Sequence, residues 1–224
     1  MAVIVPAILE TTKEAFLQRL SLILKIPGLE RVQVDFGDGK FIENKLLSVA
    51  EMDALNPAFH WEAHLMIKEP KDFLDYQICG FKTLIVHFEA FPSPADLIKA
   101  VGEIKSMGFK TCVAISPDTP VNVLKDVAAD QYLIMSVIPG KQGQAFLENT
   151  YNKIKDLKAL LPHAIIEVDG GVNLTNVKQL AQSGADLICV GSALVKAGDV
   201  TQAWEKLNSE INSPPKADPP PAEN

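Results

Sequence analysis

Eight short apolar runs recur along this chain and limit its fold more than any other feature: VIVPAIL (3–9), RVQVDF (31–36), WEAHLMI (61–67), KTLIVHF (82–88), KTCVAIS (110–116), QYLIMSV (131–137), AIIEVDG (164–170) and DLICVGS (186–192). They begin about 26 residues apart on average. Several are rich in Val and Ile and apolar on both faces, as parallel strands covered by helices are. Helix signals fill the gaps. Thr11 with Glu14 and Ser48 with Glu51 match the capping-box pattern. Pro94 and Pro120 stand where a first helical residue belongs, after Ser93 and Thr119. Asn173 and Asp199 read as N-caps, and Gly80, Gly108 and Gly184 as helix ends.

The segments CGFKTLIVH (79–87) and MGFKTCVAI (107–115) are near-copies, with SGADLICVG (183–191) a looser third. A strand–helix unit counted eight times predicts an α/β chain closed into one (β/α)8 TIM barrel over residues 1–211. The rival is a doubly wound open sheet, disfavoured because no G-x-G-x-x-G follows the first run. The segment NSPPKADPPPAEN (212–224) is Pro-rich and polar and reads as a disordered or extended tail.

Composition excludes some functions. A net charge of −7 argues against non-specific nucleic-acid binding, which needs a basic footprint. No apolar stretch approaches the ~20 residues that span a bilayer. Cys79, Cys112 and Cys189 are scattered in or beside apolar runs, which favours buried thiols in a reducing compartment. With no signal peptide in MAVIVPAILETTKEAF, the expected place is the cytoplasm.

In such a barrel the active site lies at the C-terminal ends of the strands. Asp35, His64, His87, Glu89, Ser136, Asp169, Gly191 and Ser192 all fall at or near those ends. Charged groups in apolar runs are costly unless paired or ligating a metal. Three glycine-bearing loops, VIPGKQGQAF (137–146), VDGGVNLTN (168–176) and VGSALV (190–195), each lead toward a helix. Glycines let backbone N–H groups approach a phosphate, and helix N-termini favour the anion. Two carboxylates facing each other across a ligand, Asp35 and Asp169, can take a proton from one face of a carbon and return one to the other. Read alone, Asp35 is equally a turn residue and Asp169 equally a helix cap, while a lone His64 on an apolar strand reads first as a core histidine. His87 reads as structural, Met66 and Met135 as core packing, and His60 and His163 carry no role.

PAIL (6–9), VDFGDGKF (34–41), HLMI (64–67), VHFEA (86–90), MSVIPGKQGQAF (135–146), EVDGGVN (167–173) and VGSALV (190–195) together resemble the ribulose-phosphate 3-epimerases, over about residues 3–210. The resemblance implies a ribulose-phosphate-binding barrel and a metal-dependent 1,1-proton transfer at C3, interconverting D-ribulose 5-phosphate and D-xylulose 5-phosphate. It implies Asp35 and Asp169 as the acid/base pair. The implied metal ligands are Asp35, His64 and Asp169, with Gln33 at a fourth position, for one divalent ion (Zn, Fe, Mn or Co). The implied substrate contacts are His64, Gly140, Lys141, Gln142, Gly143, Gly170, Gly171, Gly191 and Ser192. Family barrels commonly associate, so a homo-oligomer is compatible with the resemblance.

Four departures stand against the family pattern. Gln33 replaces a ligand histidine, Ala7 a substrate-contacting serine, Gly37 a pocket methionine, and Lys141-Gln142 a Phe-Gly pair. An amide oxygen is a weaker donor than imidazole, so zinc affinity should fall. Three readings stay open: an epimerase with a three-residue metal site, a related sugar-phosphate barrel enzyme with altered or absent metal, and a non-catalytic phosphosugar-binding barrel.

Overall fold

The eight runs become eight strands: β1 (Val3–Ile8), β2 (Arg31–Gly37), β3 (His60–Met66), β4 (Thr83–His87), β5 (Lys110–Ile115), β6 (Gln131–Met135), β7 (Ile165–Asp169) and β8 (Leu187–Val190). Each pairs in parallel with the next, and β8 closes on β1, giving the barrel. The computed structural model describes residues 2–140 and 143–213; Lys141, Gln142 and the 214–224 part of the expected tail lie outside the described residues. Among the described residues no helix is long and apolar enough to cross a membrane.

Among the described residues seven α-helices surround the strands: α1 (Lys13–Ile23), α2 (Leu74–Cys79), α3 (Pro94–Ser106), α4 (Thr150–Leu160), α5 (Val177–Ser183), α6 (Ser192–Val195) and α7 (Val200–Asn212), the last reaching one residue past the expected boundary at 211. The strand–helix repeat is less regular than the sequence predicts. After β2 and β5 the chain makes only the 3-10 turns Val49–Glu51 and Val121–Leu124. The β5–β6 connection holds both Pro117 and Pro120, and each proline fixes φ and removes a backbone donor, which a short link cannot absorb within an α-helix.

Most caps fall where expected. Ser48 and Glu51 form a complete capping box, the Ser93 side chain caps α3 ahead of Pro94, and the Asp199 side chain accepts from Thr201 and Gln202 N–H. Gly80 and Gly184 close their helices in the left-handed region. Three assignments shift. The α1 cap is Thr12, whose hydroxyl accepts from Ala15 N–H, so Thr11 lies one residue outside. Pro120 is the cap of its 3-10 turn and Val121 its first residue. Asn173 caps a preliminary turn, its side chain accepting from Thr175 N–H, and Asn176 precedes α5.

Side chains alternate along the strands, and this alternation positions the site. On β2, Val32, Val34 and Phe36 pack outward against the helices, while Gln33, Asp35 and Gly37 occupy the opposite face. On β3 the outward set is Trp61, Ala63 and Leu65, leaving Glu62, His64 and Met66 inside. The interior is apolar on one side, where Ile85, Cys112, Ala114, Leu133, Met135 and Val137 cluster. The interior also carries a buried polar column that includes Gln33, Glu62, Gln131 and Glu167.

Candidate active site

Parallel register brings the expected residues to one end of the barrel. Asp35 stands beside His64 across the β2–β3 pair, and Asp169 stands between Met135 and Cys189 at the end of β7. The separate aspartates and the core histidine thus become one cluster. His64 Nδ1 lies 2.9 Å from Asp35 Oδ1 and 3.4 Å from Asp169 Oδ2. One ligand-type atom from each residue falls within 4.8 Å of the others.

Burial sets the electrostatics of the three. It pushes the Asp35 carboxyl above the usual carboxylate range, an effect that His64 offsets only partly and the Asp169 charge reinforces. Burial alone would lower His64; its hydrogen bonds to Asp169 and Asp35 and their charges outweigh this and hold the imidazole at about 10. Held between two carboxylates, His64 is therefore the positive member of the group.

A second histidine fixes the ring. His64 Nε2 lies 2.8 Å from His87 Nε2, and the rings stack with centroids 5.0 Å apart. Burial, with the His64 charge, lowers His87 to about 4, so it is neutral at physiological pH. Its Nδ1 faces Glu89 Oε2 at 3.5 Å, and neither atom has a closer hydrogen-bond partner among the described residues. Glu89 resists the upward push of burial because His87, Thr119 and the Ser116 N–H hydrogen-bond to it, holding it at about 2. The consistent assignment is a His87 Nδ1–H directed at Glu89 and a His87 Nε2 that accepts from His64 Nε2–H. This directs His64 Nδ1 at the two aspartates. His87 is structural as expected, and its structural task is orientation of His64.

The cleft above this cluster is lined at its floor by Ala7, Asp35, His64, Met66, Met135, Asp169 and Cys189. Met66 and Met135 are buried, as core residues are, and also border the cleft. Its far side is lined by Gly140, Gly143, Gly170, Gly171, Gly191 and Ser192. The two β7-loop glycines are required sterically. Gly170 has φ +117, and a Cβ there would meet Val137 Cγ2 at 2.4 Å; Gly171 has φ +63, and a Cβ would lie 2.9 Å from Phe146 N. Ser136, bonded from its hydroxyl to the Asp169 carbonyl at 2.9 Å, ties this turn to β6.

Sequence reasoning missed Lys196, which follows α6 and lines a groove with Gly143, Gly171 and Ser192. Its Nζ lies 3.5 Å from where a Gly143 Cβ would be. Only the fold brings residues 143 and 196 together, so no linear signal marks it. The cleft is thus acidic and histidine-bearing at the floor, and small, backbone-rich and flanked by an ammonium at the other end. That polarity suits a ligand with a sugar-like body and an anionic terminus.

Residues 3–195 match the ribulose-phosphate 3 epimerase family. The chain belongs to that family. A chloroplastic ribulose-5-phosphate-3-epimerase from Arabidopsis thaliana is 34% identical over 195 residues, covering 83% of this chain and 69% of the relative. The ribulose-phosphate 3-epimerase of Bacillus subtilis is 33% identical over 190 residues, covering 80% and 86%. Among solved structures, 3-hexulose-6-phosphate synthase from Salmonella typhimurium superposes with a TM-score of 0.68 at 18% identity, over 93% of this chain and 97% of that one, a likeness of fold. The epimerase relatives make this chain an isomerase-class enzyme.

Epimerases of this family bind a divalent metal, and the donor set here suits one. Around an ion with bonds of ~2.1 Å, neighbouring ligand atoms sit about 3–3.4 Å apart. His64 Nδ1 is 2.9 Å and 3.4 Å from its two carboxylate neighbours. Gln33 is different. Its Nε2 lies 2.9 Å from Asp35 Oδ1 and 2.9 Å from Asp169 Oδ2, so the amide faces the acids with its donor end. At Gly37 the nearest atom to an added Cβ is Ile42 Cδ1, at 2.5 Å, so the β2 loop fills the space of the family's methionine.

Proposed function

We propose that this protein is a ribulose-phosphate 3-epimerase, interconverting D-ribulose 5-phosphate and D-xylulose 5-phosphate by moving a proton at C3. The observation that carries the reading is the placement of Asp35 and Asp169 on β2 and β7, converging on one cleft floor with His64 between them. One carboxylate takes the C3 proton as the C–H electrons move toward the C2 oxygen. The other delivers a proton to the opposite face of C3 as those electrons return. Burial raises the Asp35 carboxyl, which lets it hold a proton as well as release one.

Asp35, His64 and Asp169 would hold the divalent ion (zinc, iron, manganese or cobalt). When bound it supplies fixed positive charge beside the oxygens that become negative. Glycines 140, 143, 170, 171 and 191, with Ser192, would receive the 5-phosphate, and Lys141 and Gln142 belong to that loop by sequence. Three buried free cysteines agree with a reducing compartment, the cytoplasm. The second reading, a related sugar-phosphate barrel enzyme without a metal, is favoured by one observation, the Gln33 amide between the acids.

The test is deuterium exchange at C3 of ribulose 5-phosphate in D2O, followed by NMR, with the protein stripped of metal and then supplied with Mn, Fe, Co or Zn. Metal-dependent exchange, lost in Asp35→Asn and Asp169→Asn, is expected. Absence of exchange with every metal would sink the epimerase reading. Exchange that survives both chelation and Asp35→Asn would sink the mechanism.

A further inference from the structure

Resting on the metal-binding reading of this cleft, we propose that Gln33 is a two-position amide. With Nε2 inward it takes the place of a cation between Asp35 and Asp169. With Oε1 inward it becomes the fourth ligand of the metal ion.

The amide nitrogen touches the same three atoms that converge as ligands: Asp35 Oδ1 at 2.9 Å, Asp169 Oδ2 at 2.9 Å and His64 Nδ1 at 3.4 Å. A primary amide has two N–H donors, one for each carboxylate oxygen. Charge-assisted hydrogen bonds of this kind are roughly twice as strong as neutral ones. Its oxygen placed there would face two carboxylate oxygens and leave both without the amide N–H. An N–H cannot face a cation, however, so the inward donor and a bound metal exclude each other.

Gln33 is 0% exposed and cannot swing out to water. The remaining motion is a half-turn about its terminal torsion, which is broad and roughly two-fold and exchanges N and O without changing the shape of the group. The surroundings accept both orientations. The outer end of the amide, Oε1, lies 3.2 Å from Cys189 Sγ, which also lies 3.0 Å from Glu167 Oε1. A thiol both donates and accepts. In the observed position Gln33 Oε1 faces the S–H. After the half-turn Nε2–H donates to Sγ, and the S–H turns from Gln33 to Glu167 Oε1. Neither orientation leaves a buried amide atom without a partner. Cys189 is in this sense the seat on which the amide turns.

Metal binding here must therefore displace two carboxylate hydrogen bonds, a cost that a histidine at position 33 would not carry. The metal-free acid pair, in turn, is bridged by this neutral amide beside His64.

The experiment uses the full chain, stripped with a chelator, and the variants Gln33→His, Gln33→Met and Cys189→Val. Cobalt affinity is read from its visible absorption, and thermal unfolding is recorded without metal. The side-chain NH2 signals of 15N-glutamine-labelled protein are followed during zinc titration, with the Gln33 pair assigned by its loss in Gln33→Met. Gln33→His should bind cobalt about tenfold or more tightly than the parent, and Cys189→Val about tenfold more weakly. Metal-free Gln33→Met should unfold at least ~3 °C lower than the metal-free parent. The Gln33 NH2 pair should move when zinc binds.

A Gln33 NH2 pair unmoved by bound zinc overturns the half-turn. A metal-free Gln33→Met as stable as the parent overturns the bridge. Metal binding by Gln33→His but not by the parent also overturns the proposal, while leaving the metal-site reading intact. Failure of every divalent ion to bind either protein overturns that reading itself.

Discussion

Lys196 and the β6 loop meet at the end of the cleft where a phosphate would sit, and an exposed ammonium there should act by charge alone. Lys196→Ala is expected to raise KM for ribulose 5-phosphate roughly three- to tenfold with kcat nearly unchanged, an effect that shrinks with added salt. A fall in kcat with an unchanged KM would place Lys196 elsewhere in the reaction. His87 belongs to this scale too. Burial holds both His87 and the half-buried His60 at about 4, against an ordinary value of 6.5. Each is neutral in the folded protein, so as pH falls below 6.5 the unfolded chain takes up protons first. The contribution of these two histidines to stability is complete above that pH and declines as pH falls toward 4, with His87 accounting for on the order of 3 kcal/mol and His60 for less. The groups facing His87 are His64, Glu89 and Asp169. Urea midpoints measured down this range should fall, and His87→Gln should flatten the decline; a flat parent curve would contradict the burial argument.

At this scale the sequence revealed identities better than orientations. Asp35, His64 and Asp169 were legible because each interrupts an apolar run at a strand end, where an unpaired charge is costly. The inward donor of Gln33 was not legible, because one of the partners that orients it, Asp169, lies 136 residues away.

The β7–α5 connection shows how one short element joins fold and site. Gly170 and Gly171 both take positive φ, and both have backbone or side-chain atoms where a Cβ would go. Gly170→Ala should cost about 2 kcal/mol or more, since it adds left-handed strain to overlap with Val137. It should also weaken inorganic phosphate binding, measured by calorimetry; retained stability with retained binding would show that the turn can relax. Glycine spacing made this loop readable. Apart from α5, whose cap Asn176 lies three residues after the expected Asn173, helix starts were readable to within a residue: Thr11 and Thr12 are equivalent in composition, and only geometry decides that Thr12 accepts from Ala15. The 3-10 turns after β2 and β5 were not read, because a barrel repeat predicts a helix in every gap; after β5, Pro117 and Pro120 override it.

The whole barrel carries a polar column from its floor toward the far end. Glu62, fully buried, receives Arg31 at the outside, and Gln131 Nε2 bridges Glu62 Oε1 and Glu167 Oε2 at 3.0 Å each. Burial raises both glutamates above the usual range. Removing Arg31 leaves a buried carboxylate with one neutral partner. Arg31→Ala should therefore destabilise by roughly 2–4 kcal/mol, more near pH 8 than near pH 5, where Glu62 can take up a proton. Glu62→Gln in the same chain should recover most of the loss, and denaturant titration of the three variants measures it; an unaffected Arg31→Ala would mean the column holds no net charge. The barrel itself was legible from eight runs, but this column was not, since its members come from strands far apart in sequence.

That column has a consequence for how the chain reaches its shape. Gln33 on β2 needs Asp169 on β7 and Cys189 on β8, and Glu62 on β3 shares Gln131 with Glu167 across β6 and β7. No half of the barrel satisfies these groups by itself. A fragment ending before β8 would have to hydrate them or protonate them. The last strand therefore does more than cover an edge: its arrival lets the interior become dry, so closure and desiccation are one event, and a nascent chain remains wet inside until residue 189 is in place.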